Sequence, residues 1–301
     1  MAKRLEIIGL RLPLFERGTD LAKSIVDAAL SEGIDILNGD VVVVTDKVVS
    51  KCFGRIVKAE EVKPSNKALK LSEKTGLEPK FVELVIKNCD KVIAVVPFKR
   101  LVERGFVNLR SLSADEDAAK KLIDEYPDFF ITVREDMLWS DSGIDSSNLP
   151  PNTFALPVEN HDEFAKAIRN RIAELTGRRV AVVICDTEIF LEGSMDFARG
   201  SYGIDPVDRR FACLDLYGKP KYGGVDAIAH EICAAAALLF KQAREGVPVA
   251  IVRGLEYREC ECGLRDSMPK ISLLPVLKEI VRETRKVLGL RKSLKLIRLR
   301  I

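Results

Sequence analysis

Residues 40–51 read DVVVVTDKVVSK and residues 180–187 read VAVVICDT. Val41 to Val44 is too short and too β-branched for anything but a buried strand, entered from the turn Asn38-Gly39-Asp40. Val180 to Ile184 is a second strand of this kind, ending in Cys185-Asp186-Thr187. Working outward, a strand at about Leu5 to Ile8 precedes the turn-like stretch Gly9 to Phe15. Thr19 or Asp20 then caps a helix with Leu21, Ile25, Ala28 and Ala29 at helical spacing. Pro64 opens a helix through Ser72, Pro79 opens another through Asn88, and Val92 to Val96 is a further strand. The segment from Ser113 to Asp136 holds a charged helix and a short strand. A helix over 161–176, a Gly-bearing loop over 188–210, an Ala-rich helix from Val225 to Phe240 and a last core strand, Val249 to Val252, complete the pattern. Strands and helices mix without regular βαβ alternation. The fold expected is therefore α+β, with mixed sheets and helices, and neither a Rossmann nor a P-loop arrangement.

Composition narrows the class. At 301 residues, 47% hydrophobic and 31% charged, the chain has ample material for a core. No apolar run reaches the roughly 18 residues that a membrane span needs. The first ten residues carry Lys3, Arg4 and Glu6 and lack the apolar core of a signal peptide, so a cytoplasmic setting is expected. Of the net charge of +3, an excess of +7 falls between Lys278 and Ile301, which leaves the remainder near −4. That basic tail reads as the solvated face of a terminal helix, and nucleic acid is not expected as a partner. The chain changes character beyond about Tyr257. This divides it into a catalytic region, 1–256, and an extension, 257–301, with a helix from about Leu273 to Leu288. Seven cysteines, an odd count with apolar neighbours, point to reduced and mostly buried thiols. Cys260 and Cys262 form a C-x-C pair, but no second pair or histidine cluster completes a zinc site.

Absences narrow the chemistry further. There is no G-x-x-x-x-G-K-[ST] and no G-x-G-x-x-G, and only two histidines, His161 and His230, occur. Carboxylates remain. Asp186 follows an apolar strand and precedes Thr187, while Asp141 and Asp145 share the polar loop from Trp139 to Asn148. Hard cations such as Mg²⁺ or Mn²⁺ take this kind of oxygen ligand set; each aspartate alone also serves as an ordinary turn or helix cap. Lys47 and Lys51 lie four apart with Asp46 beside them. In a helix their ammonium groups share one face and meet a polyphosphate, or simply solvent. Gln242 is the single glutamine in the chain.

Eight pieces in order resemble one family. They are Gly9 to Phe15 (GLRLPLF), Asp40 to Lys51, Gly54-Arg55, Pro64 to Ala68, Gly143 to Asn148 (GIDSSN), Cys185-Asp186-Thr187, Asp215 to Lys219 (DLYGK) and Gly246 to Leu255 (GVPVAIVRGL). Together they resemble the coenzyme F420-0:γ-glutamyl ligase family, which adds glutamate to a deazaflavin coenzyme using GTP. The resemblance implies that Leu12, Pro13, Leu14 and Phe15 contact the guanine nucleotide. It implies that Asp46, Lys47, Lys51 and Asn148 line the same site. Asp145 and Asp186 match positions that hold one divalent ion, Thr187 a second, and Gln242 a further metal and nucleotide contact. Two ions, Mg²⁺ or Mn²⁺, are thereby implied, together with L-glutamate, a deazaflavin acceptor, an acyl-phosphate intermediate and a homodimer. No catalytic side chain is assigned.

Departures lie on the acceptor side. Family members commonly show Asn-Ala-Gly where this chain has Asp141-Ser142-Gly143. They show Gly-Arg and then Arg-x-Gly where it has Glu188 to Gly193. An arginine fork is the natural clamp for a phosphodiester or carboxylate. Leu191 and Glu192 remove it, leaving Arg199, Arg209 or Arg210 to compensate. His230 replaces a usual aspartate, and Lys241 stands beside Gln242 where glycine is common. Three readings stay open: the deazaflavin ligase, a related ligase with another carboxylate acceptor, and a nucleotide-binding protein without turnover.

Overall fold

The computed structural model describes residues 3–190, 193–223, 225–241, 243–268 and 272–289. The chain is α+β, built on three sheets. The first half carries β1 (Glu6–Leu10), α1 (Leu21–Ser31), β2 (Val41–Thr45), α2 (Asp46–Cys52) and β3 (Ile56–Lys58). There follow α3 (Asn66–Thr75), α4 (Pro79–Lys87), β4 (Lys91–Val96), α5 (Phe98–Glu103), α6 (Leu109–Leu112) and α7 (Glu116–Glu125). Next come β5 (Phe129–Arg134), β6 (Met137–Ser140), β7 (Thr153–Ala155) and α8 (His161–Thr176). The remainder is β8 (Ala181–Phe190), β9 (Gly193–Tyr202), α9 (Ile228–Phe240), β10 (Val249–Arg253), α10 (Leu264–Ser267) and α11 (Leu273–Leu288).

Five strands form the main sheet in the order β1-β10-β2-β8-β9. Every neighbouring pair is antiparallel except β2 and β8, which run parallel. The valine-rich runs now have a physical reason. Side chains alternate across a strand, and both faces of this sheet are covered. Val42, Val44, Val182 and Ile184 pack under α1 and α8, while Val41, Val43, Ala181 and Val183 pack under α9. A third core, around Phe81, Val85, Phe130 and Phe154, joins α4 to the smaller sheets β4-β5-β6 and β3-β7. Contact between α8 and β9 is close enough to specify a residue type. A Cβ on Gly200 would overlap the Cβ and backbone of His161, the first residue of α8.

Several expectations need correction. Of the loop expected over 188–210, residues 188–190 finish β8 and 193–202 form β9, its hairpin partner, while 203–210 lies outside the helices and strands as expected. The strand from Ala181 does not stop at Ile184 but continues to Phe190, and β9 returns along it with Thr187 opposite Asp196. Polar residues survive in this hairpin because they find partners across it. The Thr187 hydroxyl donates to Asp196 Oδ1 at 2.7 Å, and the Arg199 guanidinium pairs with Glu188. Pro64 does not open α3. Ser65 caps it, and its Oγ accepts from the Ala68 N–H at 3.3 Å. The Ala-rich helix begins at Ile228 rather than Val225.

The cysteine expectation also fails in part. Cys185 is disulfide-bonded to Cys233 and Cys260 to Cys262, leaving Cys52, Cys89 and Cys213 as thiols. Packing of α9 on the sheet brings Cys233 beside Cys185, with Cα atoms 5.7 Å apart, a proximity that no local spacing announces.

The start of the expected extension, 257–268, is tied to the body. Asp162 accepts from the Leu264 and Arg265 N–H groups at 2.9 and 3.1 Å, and the Tyr202 hydroxyl donates to Glu261 at 3.0 Å. Among the described residues no helix is long and apolar enough to cross a membrane.

Candidate active site at the parallel strand ends

The register of the one parallel strand pair builds the site. Thr45 lies opposite Cys185, and the next residue on each chain is an aspartate, Asp46 and Asp186. Two carboxylates thus stand at the same level on neighbouring strands, Asp46 just past the end of β2 and Asp186 within β8. No loop intervenes between β2 and α2, so Asp46 starts the helix, and Lys47 and Lys51 follow on its first and second turns. Opposite them, the polar segment 141–148 is pinned by reciprocal bonds between the backbones of Asp145 and Ala155, at 3.2 and 2.7 Å.

These elements meet around a cleft of about 620 Å³. Leu12, Pro13, Leu14 and Phe15 line it from the segment after β1. Asp46, Lys47 and Lys51 line it from α2, Asp145 and Asn148 from the polar segment, and Asp186 and Thr187 from β8. Gln242 lies outside the described residues, although Phe240, Ala243 and Arg244 around it line the cleft.

Local bonds fix the charged groups. Lys47 Nζ lies 2.6 Å from Asp145 Oδ2 and donates to Ser147 Oγ at 2.5 Å. Lys51 Nζ donates to the Asn148 carbonyl at 2.7 Å, and Asp145 Oδ1 accepts from the Ser147 N–H at 2.6 Å. Buried Asp46 accepts at 3.0 Å from Nε2 of His161, which is itself fully buried. Burial holds the Asp186 carboxyl well above the usual carboxylate range; the charge of Arg199 opposes this, while Asp46 and Asp145 add to it. Burial, and then the neighbouring Lys47, push the Lys51 ammonium down.

Among the described residues no three His, Cys, Asp or Glu side chains form a closed metal cage. Mg²⁺ seldom needs one, since it keeps several waters and is bound through one or two carboxylates plus substrate phosphates. Asp145 and Asp186 fit that pattern: both are oxygen donors on one cleft, and the charge of Asp145 raises the cost of ionising Asp186. A divalent ion between them would relieve that repulsion.

The compensating arginines are elsewhere. Arg199 pairs with Glu188, donates to the Leu138 carbonyl at 3.1 Å and stacks 3.6 Å from the Trp139 ring centre. Arg209 pairs with Asp205 and Arg210 with Asp208, and none of the three lines the cleft. Arg244 does line it, as does Asp196. Sequence reasoning missed both, and also His161 as the partner of Asp46. Arg244 carried a signal, its position two residues after Gln242. His161 and Asp196 carried none, because only the tertiary fold brings them to the site. Asp215 to Lys219 form an exposed tight turn closed by Asp215 Oδ1, away from the cleft.

A mixed sheet whose parallel strand pair gathers carboxylates and lysines into one cleft defines an α+β class distinct from the nucleotide folds that bind through glycine-rich loops. The chain belongs to the F420-0:gamma-glutamyl ligase family, whose match covers residues 9–254. It is 33% identical over 254 residues to the Coenzyme F420:L-glutamate ligase of Methanothermobacter thermautotrophicus, covering 83% of this chain and 89% of that protein. The Archaeoglobus fulgidus protein of the same name is 33% identical over 246 residues, covering 81% of this chain and 85% of that one. The Methanocaldococcus jannaschii protein, again of that name, is 31% identical over 255 residues, covering 84% and 88%.

Proposed function

We propose that this chain is a GTP-dependent amide ligase that joins L-glutamate to the carboxylate of coenzyme F420-0 through an acyl phosphate. The observation that carries this reading is the meeting of Lys47, Lys51, Asp145 and Asp186 in one cleft, within a chain whose relatives are named Coenzyme F420:L-glutamate ligase. Leu12 to Phe15 and Asn148 hold the nucleotide, and Lys47 and Lys51 lie along its phosphates. Bound at Asp145 and Asp186, and at Thr187 and Gln242, two Mg²⁺ or Mn²⁺ ions supply the charge neutralisation that phosphoryl transfer needs.

Two displacements follow. A carboxylate oxygen of the acceptor attacks the γ-phosphorus, the bond to the β–γ bridging oxygen breaks, and GDP leaves. The free amine of glutamate then attacks the acyl carbon, the carbon–oxygen bond to phosphate breaks, and the nitrogen loses a proton as the amide forms. His161 holds Asp46, and the Lys47–Asp145 pair holds the polar segment, so the charged groups are set before substrate arrives. A cytoplasmic homodimer belongs to the same reading.

One observation favours a second reading, a ligase of the same chemistry with another carboxylate acceptor. Arg199, Arg209 and Arg210 are committed to carboxylates of their own. A mass-resolved assay with the full chain, the deazaflavin acceptor, glutamate, GTP and Mg²⁺ or Mn²⁺ decides. A glutamyl increment with GDP is expected. Its absence, alongside a metal-dependent thermal shift with GTP, moves the assignment to the second reading, and absence of both ends the ligase reading.

A further inference from the structure

A second cavity, of about 700 Å³, adjoins the carboxylate cleft. The two share Leu14, Phe15, Lys51 and Asn148. The second adds Ile56, Leu149 and Pro150 as apolar wall, Arg17 as a cation and Glu16 as an acid beside it. Leu14 is 87% exposed on the boundary between them, a large apolar surface left facing water. Arg17 is placed by design of the backbone. Gly54 sits at φ +72°, and a Cβ there would come within 2.8 Å of Arg17 Nε and 2.9 Å of Arg17 Cδ. The Arg17 side chain thus packs directly on the Gly54 backbone. Among the described residues Arg17 has no ion pair or hydrogen bond, in contrast to Arg199, Arg209 and Arg210.

We infer that this second cavity is the acceptor subsite, taking a planar aromatic heterocycle against Ile56 and Leu149, beyond the nucleotide-contacting Leu14, and its anionic linker on Arg17. The inference rests on the ligase reading above. Its chemistry is that of a flat apolar ring with a phosphodiester attached. Such a ligand gains from apolar burial at one end and from a charge-assisted guanidinium contact at the other. The acceptor carboxylate has to come within about 3–3.5 Å of the γ-phosphorus, and two anions resist that approach. Lys51, common to both cavities, stands where they meet and offsets the repulsion.

Steady-state kinetics of the full chain, varying the deazaflavin acceptor and GTP separately, tests the assignment with Arg17→Ala and Arg17→Lys. Arg17 is exposed, so both variants are expected to fold as the native chain does, and a thermal melt checks this. Arg17→Ala is expected to raise KM for the acceptor about tenfold or more. KM for GTP, and kcat at saturating acceptor, stay within about twofold, and Arg17→Lys recovers part of the loss. A rise in KM for GTP instead would assign the cavity to the nucleoside, and no change in either KM would leave Arg17 a surface residue. Either result overturns the inference. Equilibrium dialysis of the deazaflavin acceptor without GTP separates this failure from failure of the ligase reading. A chain without turnover that still binds the acceptor through Arg17 keeps the subsite, and one that binds no acceptor loses it.

Discussion

His161 Nε2 and Asp46 Oδ1 lie 3.0 Å apart, with both side chains sealed from solvent. Each is the first residue of its helix, α8 and α2, so one hydrogen bond joins two helix starts beneath the cleft. Removing the imidazole would leave a buried carboxylate without its partner. His161→Leu is therefore expected to destabilise the chain by about 2–5 kcal/mol. His161→Gln, which keeps an N–H at similar reach, should recover much of that. Urea unfolding measures both, and a leucine variant as stable as the parent would mean that Asp46 finds its partner elsewhere.

Asp186 poses the opposite case, a carboxylate that its buried setting disfavours. Its ionisation is penalised by burial and by the charges of Asp46 and Asp145. Asp186→Ala is expected to leave the ligand-free chain at least as stable as the parent, because it removes that penalty. Turnover should fall by more than about 100-fold, since charge compensation at a transferring phosphoryl group is lost. Calorimetry supplies the second reading. GTP at about 100 times its dissociation constant stabilises the parent by roughly 2.7 kcal/mol, and the variant should lose the metal-dependent part of that shift.

Elements with a strong local pattern were legible in the sequence. The helices over 161–176 and 273–288 follow their apolar spacing, and the valine runs at 41–44 and 249–252 are core strands. The β8–β9 hairpin was not, because Asp186, Thr187 and Glu188 look like loop residues until Asp196 and Arg199 return beside them. Local propensity cannot register a partner that only the fold supplies. Arg253 makes the same point from within a recognised motif. Its guanidinium holds buried Asp40 by two bonds, at 2.9 and 2.7 Å, which makes that part of the motif structural. Of the cleft, the residue types were readable but the contacts were not. Lys47 and Asp145 are 98 positions apart and meet at 2.6 Å because α2 faces the polar segment.

The Glu188–Arg199 pair is buried behind the cleft, and Glu188 also accepts from the N–H and hydroxyl of Ser140, each at 2.6 Å. Cutting one partner strands the other charge out of water. Arg199→Ala is expected to cost about 3–5 kcal/mol, whereas Arg199→Met combined with Glu188→Leu should cost less than the single change. Chemical denaturation of the three proteins gives the comparison. A double variant weaker than Arg199→Ala would show that the pair contributes more than mutual neutralisation.

Two buried groups bend the pH profile in opposite senses. Burial lifts Asp141 from 3.8 to about 7, with the Phe130 N–H bond opposing. Between those values the unfolded chain has released a proton that the folded chain keeps, so stability from this group falls as pH rises and is lost above about 7. Burial, and then the charge of Arg199, lower His230 from 6.5 to about 4, and its Nδ1 accepts from the Ala198 N–H at 3.0 Å. Here the unfolded chain binds a proton that the folded chain refuses, so stability falls as pH drops from 6.5 toward 4. Asp186, also lifted to about 7 by burial, adds a second falling slope, so these three groups together make the parent lose stability as pH rises through that window. Asp141→Asn keeps the carbonyl that accepts from Phe130 and removes only the titration. Its stability is expected to fall less with pH from about 4 to 6.5 than the parent's, because the His230 and Asp186 slopes then oppose each other, and to exceed it at pH 8. Thermal unfolding across pH 4 to 8 reads both, and superimposable profiles would mean that Asp141 titrates alike in the folded and unfolded chains.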